Sequence, residues 1–479
     1  MEREELTILI DELRALPHES EWVEFKVNNA KPQSIGEYIS ALANSACIEN
    51  KEYGYLVFGI ENERHKAVGT GFKPRTEKVG NQEIENWIVT QLEPKVGVRI
   101  FEFEYQSKNM IIFQIEPATN RPILFRGEAY VRVGTYTKKL KNHPEKESKI
   151  WQKAKQTVFE KDYAIRNISA DKVLEMLDYP SVFKMLNIPL PANKDGILAR
   201  LEEEKLIVKK LLKYHITNLG AILFAADLEK FENLTRKAPR VIIYKGNTKL
   251  QTIKEQPGNL GYAVAFERLV NYVNDKLPSN EEIDRVFRKE ARVYPELAIR
   301  ELIANAIIHQ DFSIRGMSVM IEIFDNRIEI TNPGAPLIDT KRFIDHSPES
   351  RNEILAGMMR RLNICEERGS GVDKVITQIE AFQLPAPEFI AGDNYTRVVL
   401  YSPKSLRQMS KPDKIRACYQ HCCLKYVSGE YMSNQSLRER FDIDKKNYPI
   451  VSRLIKETID AGLILEYDNS RMYVPFWAK

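Results

Sequence analysis

Between Tyr294 and Gly371 the chain reads ELIANAIIHQ at 301–310, IEIFDNRIEITNPGAP at 321–336 and ERGSGVDKV at 367–375. The first stretch spaces Glu301, Asn305 and His309 four residues apart, which puts all three on one face of a helix. Leu302, Ile303, Ala306 and Ile307 supply an apolar face that can lie on a sheet. The second stretch is a hairpin that ends in Asn332-Pro333-Gly334. The third places Gly369-Ser370-Gly371 at the start of a helix, whose free N–H groups suit phosphate. A carboxylate one turn before an amide suits a hydrated magnesium ion. The Asn305 carbonyl oxygen can bind the metal while Glu301 takes a proton from a water aimed at a terminal phosphate. His309 can donate to a ribose or phosphate, or simply close the helix. Taken singly, Glu301 and Asn305 are more simply read as a solvated helix stripe, and the glycines as plain turns.

In this order (helix with E-x-x-x-N, strand then Asn-Pro-Gly, Gly-x-Gly before a helix) the pieces resemble the GHKL ATPases, the superfamily of gyrase and the histidine kinases. They resemble in particular the divergent branch found in bacterial ATP-binding transcriptional regulators and RecG-like proteins. The resemblance implies an α/β sandwich of GHKL type that binds ATP with Mg²⁺. It implies Glu301 as general base, Asn305 as magnesium ligand, Gly334 beside the base, and Gly369, Ser370 and Gly371 over the phosphates. One position departs from the pattern: Asn332 stands where those ATPases usually read adenine through an Asp. The interval before Gly369 is a mobile lid in such relatives, and Arg351, Asn352, Arg360, Arg361 and Arg368 lie in it. An arginine there can pair a terminal phosphate, although surface placement is the commoner reason for any one of them.

At 479 residues the chain exceeds one core, so an α+β, multidomain protein is expected. With 71 Lys and Arg against 67 Asp and Glu, the net charge is only +4, so any nucleic-acid footprint must be local. Five cysteines without C-x-x-C spacing argue against a disulfide framework and against a zinc site, and favour a reducing, cytoplasmic setting. The N-terminal MEREELTILIDELRALPHE is an amphipathic charged helix without an apolar signal core, and no apolar run reaches membrane-spanning length.

The first 145 residues read as an α+β domain. Glu19, Glu24, Phe25 and Lys26 come first, then a helix with ALANS, then YLVFGIEN, then FRGEAYVRVGTYT. These four segments resemble, in order, the Schlafen-type, AlbA-like nucleic-acid-binding domain. In nuclease members of that family three acids hold a divalent metal. By position Glu19 and Glu24 match the first two, and Glu61 is the candidate for the third, with Lys26 available to neutralise a scissile phosphate. Arg121, Arg126, Arg132, Lys138, Lys139 and Lys141, interleaved with Tyr130 and Tyr136, form the densest basic stretch. Such residues pair phosphates and stack bases, and a lysine-protected strand edge would look alike.

Residues 146–220 read as a helical connector, compatible with a winged-helix-like bridge or a plain helical linker. Residues 221–402 hold the GHKL-like part. After a polar linker, 403–479 give three helices and a hairpin and resemble a winged helix-turn-helix domain, with Lys445, Lys446, Arg453 and Lys456 available to phosphates. Three readings follow. The first is a nucleotide-responsive nucleic-acid-binding protein, serving transcription control or defence against foreign nucleic acid. The second is a metal-dependent nuclease gated by ATP, and the third a scaffold with a degenerate ATPase fold. A homodimer or higher oligomer is expected, because the resemblance implies a site that often needs a partner protomer.

Overall fold

The computed structural model describes residues 3–478 except 17–19, 29, 120, 156–157, 284–287, 348, 366–370 and 469. Glu19, Arg368, Gly369 and Ser370 therefore lie outside the described residues. The chain is mixed α+β and divides into two compact units, Met1–Thr157 and Val158–Lys479. Among the described residues no helix is long and apolar enough to cross a membrane.

In the N-terminal unit, Val23–Lys26 pairs in parallel with Gly54–Phe58, and the helix Pro32–Ile48 makes the crossover that a parallel pair requires. Lys108–Ile115 and Val98–Tyr105 extend this sheet antiparallel. A second sheet holds Tyr136–Lys139, Glu128–Val133, Leu124–Phe125 and Leu92–Glu93. The small residues of the crossover helix explain how it meets that second sheet. A Cβ at Gly36 would fall 2.1 Å from the Phe125 ring. Ser40 Oγ and Asn44 Nδ2 donate to Ile123 O at 2.7 and 2.9 Å, and Ser45 Oγ accepts from Arg132 N at 2.9 Å. The ALANS segment is thus a docking face, satisfying strand groups that burial would otherwise leave unpaired.

One hydrophobic core runs through the second unit from Val173 to Leu400. It joins a three-stranded sheet (Tyr163–Ile168, Lys213–Thr217, Ile207–Lys210) and its helices to a six-stranded sheet. The larger sheet runs Thr252–Pro257, Arg240–Tyr244, Met320–Phe324, Arg327–Pro333, Tyr395–Tyr401, Glu388–Ala391. Only Arg240–Tyr244 with Met320–Phe324 is parallel. Ile303 and Ile307 of the helix Glu296–Ile308 share the core with Ile321, Ile323, Ile328 and Ile330, so the apolar stripe read from the sequence does face a sheet.

At the C-terminus, helices Lys411–Val427, Asn434–Arg440 and Tyr448–Asp460 precede a hairpin of Ile464–Tyr467 with Met472–Pro475. Their core is built on Cys418, Cys422, Leu437, Val451 and Leu454, and it also takes in Ile344 and Ile376 from the preceding part.

Candidate nucleotide site

The helix Glu296–Ile308 presents Glu301, buried, and Asn305, half-buried, one turn apart. His309 follows as the C-cap, its N–H bonded to Asn305 O at 2.9 Å. Across from them the helix Gly371–Ala381 begins. A Cβ at Gly371 would lie 3.2 Å from Glu301 Oε2 and 3.6 Å from Asn305 Nδ2, so acid, amide and glycine meet at one point. A cavity of about 200 Å³ opens beside them, lined by Gly371 and, among its polar residues, by Asn305, His309, Asn332, Arg351 and Thr396. Leu302, Ile330, Phe343, Phe389 and Val398 give it an apolar wall.

Asn332, near the end of the strand Arg327–Pro333, also lines the cavity, and Ala335 and Pro336 follow it there. Asn332 is buried, donates from Nδ2 to Pro333 O at 3.1 Å, and stands opposite Thr396 in the sheet. Gly334 has φ +105, a left-handed conformation that favours glycine. A Cβ on Gly334 would come within 3.0 Å of Asp311 Cβ and 3.5 Å of Arg351 Cζ. Its N–H donates to Asn394 O at 2.8 Å, and Thr396 Oγ1 donates to its carbonyl at 2.9 Å.

Arg351 is fixed by Asp311 Oδ2 at 3.2 Å and by Ala335 O at 2.7 Å. Burial works against the Asp311 carboxylate, yet two bonds from Ser313 and the cations Arg351 and Lys237 outweigh it and hold its pKa below the usual carboxylate range. Burial, then the Arg351 guanidinium, holds the His309 pKa below its ordinary value, so the ring is neutral at pH 7 and acts as a hydrogen-bonding group. Among the expected lid residues the structure separates roles. Arg351 lines the cavity, Asn352 Nδ2 ties down Ile308 O and Gln310 O, and Arg361 pairs with Glu204 at 2.7 Å. Asp311 and Thr396 carried no signal in the sequence, because their importance lies in what strand register and a chain reversal bring beside them.

Magnesium keeps several waters and takes one or two protein oxygens beside substrate phosphates. The Glu301 carboxylate and the Asn305 amide, side by side against Gly371, fit that demand.

In the N-terminal unit the structure corrects the expectation for Arg132 and shows what surrounds Glu24, Lys26 and Glu61, while Glu19 lies outside the described residues. Arg132 is 1% exposed, and its guanidinium pairs with Glu24, itself buried. Arg132 is therefore a core residue and does not reach phosphate. Glu24 pairs also with Lys26, and the Lys26 ammonium lies 5.2 Å from the centre of the Tyr38 ring, so both are engaged inside the unit. Glu61 is exposed beyond the end of Gly54–Phe58, and among the described residues no three His, Cys, Asp or Glu side chains are grouped to hold a metal.

The remaining basic residues are surface groups. Arg126, at the tip of a hairpin with φ +52, bonds Gln33 Oε1 at 3.2 Å. Lys139 and Lys141 both pair with Glu128, while Lys138 lies 5.6 Å from the centre of the Tyr136 ring, which is 68% exposed. Lys445, Lys446, Arg453 and Lys456 are exposed on the C-terminal helices, with Lys446 paired to Asp444 and Arg453 lining a cleft with Lys411 and Lys414.

Comparison with solved structures finds the DIP2311 protein from Corynebacterium diphtheriae, at 15% identity over 99% of this chain and 97% of that chain, with a TM-score of 0.43. It also finds the N-terminal domain of a putative ATP-dependent DNA helicase RecG-related protein from Nitrosomonas europaea. That likeness is 23% identity over 27% of this chain and 89% of that chain, with a TM-score of 0.20. No curated protein matches the chain. Residues 19–141 match the family described as Schlafen, AlbA_2, and residues 316–400 the family described as putative ATP-dependent DNA helicase recG C-terminal. The chain thus couples a Schlafen, AlbA_2 domain at 19–141 to a RecG-like C-terminal domain of the HATPase type at 316–400.

Proposed function

We propose that this is a nucleotide-responsive nucleic-acid-binding protein whose second unit binds ATP with magnesium. The observation that carries the reading is the convergence of Glu301, Asn305 and Gly371 beside a cavity that Asn305, Asn332, Arg351 and Gly371 help to line. The apolar wall suits a flat heterocycle, and the helix start at Gly371 suits phosphate. When bound, magnesium would offset phosphate charge. Asn305 Oδ1 would hold it, Glu301 would orient a water and accept its proton, and Arg351 would balance charge at the phosphates. His309, kept neutral, is placed to bond a ribose or phosphate oxygen.

Nucleic acid is assigned to two surfaces: the Tyr136–Lys138 hairpin with Arg126, and the exposed Lys445, Lys446, Arg453 and Lys456 of the C-terminal helices, which we read as a winged helix. Regulation of transcription or defence against foreign nucleic acid are the outputs such an arrangement serves. The engagement of Glu24 by Arg132 and Lys26 favours binding over cleavage by the first unit.

Calorimetry with Mg-ATP tests the central claim. Wild-type protein should release heat with a saturable isotherm, and Asn305→Ala should weaken binding at least tenfold. Heat near zero, the same in both proteins, would favour the scaffold reading over the nucleotide-responsive one.

A further inference from the structure

Two walls of the cavity are held from behind by the C-terminal helices. The first wall is the segment 337–347, from which Leu337, Phe343 and His346 face the cavity. Its regular structure is a single short turn at Thr340–Arg342, so its position depends on what it touches. Tyr419 OH donates to Lys341 O at 2.6 Å and accepts from Trp477 Nε1 at 3.1 Å. The Arg342 guanidinium lies 5.5 Å from the centre of the Trp477 ring, and Ile344 is buried in the C-terminal core. The second wall is the start of the helix Gly371–Ala381. Gly371 and Val372 line the cavity, Ile376 enters the same C-terminal core, and Glu380 pairs with His421 at 3.0 Å and Arg440 at 3.2 Å.

Ile344 and Ile376 therefore sit in one close-packed cluster while their neighbours in sequence face the ligand space. A packed core does not deform continuously, so movement of either wall must be matched by the helix that packs on both. We infer that the C-terminal helices brace the nucleotide cavity, and that closure of the two walls on a nucleotide is transmitted through Tyr419, Arg342 and Trp477 to the C-terminal surface. This rests on the nucleotide reading of the cavity. Linkage then makes the coupling reciprocal: a nucleic acid that favours one position of the C-terminal helices changes nucleotide affinity by the same factor as nucleotide changes its own.

Trp477 is the single tryptophan of the second unit, the other three being Trp22, Trp87 and Trp151. The test uses the full chain and two readouts. In the first, emission of wild-type protein minus that of Trp477→Phe is followed during titration with Mg-ATP, alongside calorimetry. In the second, amide exchange across 337–347 is compared, without nucleotide, among wild type, Tyr419→Phe and Arg342→Ala. The brace requires a Trp477 signal that saturates with the calorimetric isotherm, and exchange at least threefold faster in both variants. A silent Trp477 at saturating nucleotide, or exchange unchanged in both variants, overturns it. If Mg-ATP gives no heat with wild type, the nucleotide reading falls by itself, and the exchange rates alone then decide whether the C-terminal helices hold the wall.

Discussion

At the scale of single residues, the pair Glu24 and Arg132 has the clearest consequence. Both groups are shut away from water, and removal of one partner strands the other charge in a low-dielectric interior. Arg132→Ala should destabilise the N-terminal unit by about 3–5 kcal/mol, read as a shift in its urea midpoint. The joint change Glu24→Leu with Arg132→Met should recover most of that loss, whereas a single variant of wild-type stability would show the pair to be incidental. Neither partner could be placed inside from the sequence. Glu24 stands between Val23 and Phe25, and Arg132 between Val131 and Val133, where alternation alone puts charge outward. Gly334 is the opposite case, visible in the sequence as a turn and confirmed in its need for glycine by φ +105. Gly334→Ala should cost ~1–3 kcal/mol in backbone strain and push on Asp311 and Arg351, so nucleotide affinity should fall together with melting temperature.

At the scale of elements, the hairpin Glu128–Val133 with Tyr136–Lys139 divides its lysines into two kinds. Lys139 and Lys141 are drawn to Glu128, while Lys138 lies beside an exposed ring. Lys138→Ala should lower the slope of log affinity against log salt by about one, with Lys139→Ala losing less. Tyr136→Ala should cost ~1–3 kcal/mol on single strands if the ring stacks a base. Equal, zero effects in all three variants would remove this hairpin from the interface. Elements with a buried face were legible in kind: the helix that carries Glu301 and Asn305, although it begins at Glu296, five residues before the stretch quoted as helical, and the hairpin of Met320–Phe324 with Arg327–Pro333. Those lacking one were not. The strand Thr252–Pro257 is exposed at all six positions, and an edge strand shows no alternation when neither face is covered.

For the second unit as a whole, pH dependence should show one group out of line. Burial first, and Asp345 second, raise the Asp373 pKa to about 6. A group that binds its proton more tightly when folded stabilises the fold below its ordinary pKa, and that contribution disappears as pH rises through the folded value. Wild-type stability, measured against Asp373→Asn, should therefore decline between about pH 4 and about pH 6. At pH 7 the variant should be the more stable by on the order of 1 kcal/mol, once solvent screening of a partly exposed group is allowed for. A difference that stays constant from pH 4 to 7 would show that Asp373 titrates normally. The catalytic-looking residues around Gly371 were readable because helical spacing fixes them locally. Asp311 and Thr396 were set by chain reversal and strand register, which a single sequence does not display.

The interior shared by residues between Val173 and Leu400 also bears on how such a chain can be inherited. The small three-stranded sheet and its helices bury their apolar side chains in the same mass as the larger sheet, so recombination near residue 220 would split a shared interior and leave both fragments greasy and aggregation-prone. Residues 1–157 and 158–479 are separate compact units, so a crossover at their boundary leaves each one whole. Gene shuffling should then have swapped the N-terminal portion freely among descendants while passing on everything between 173 and 400 as a single heirloom.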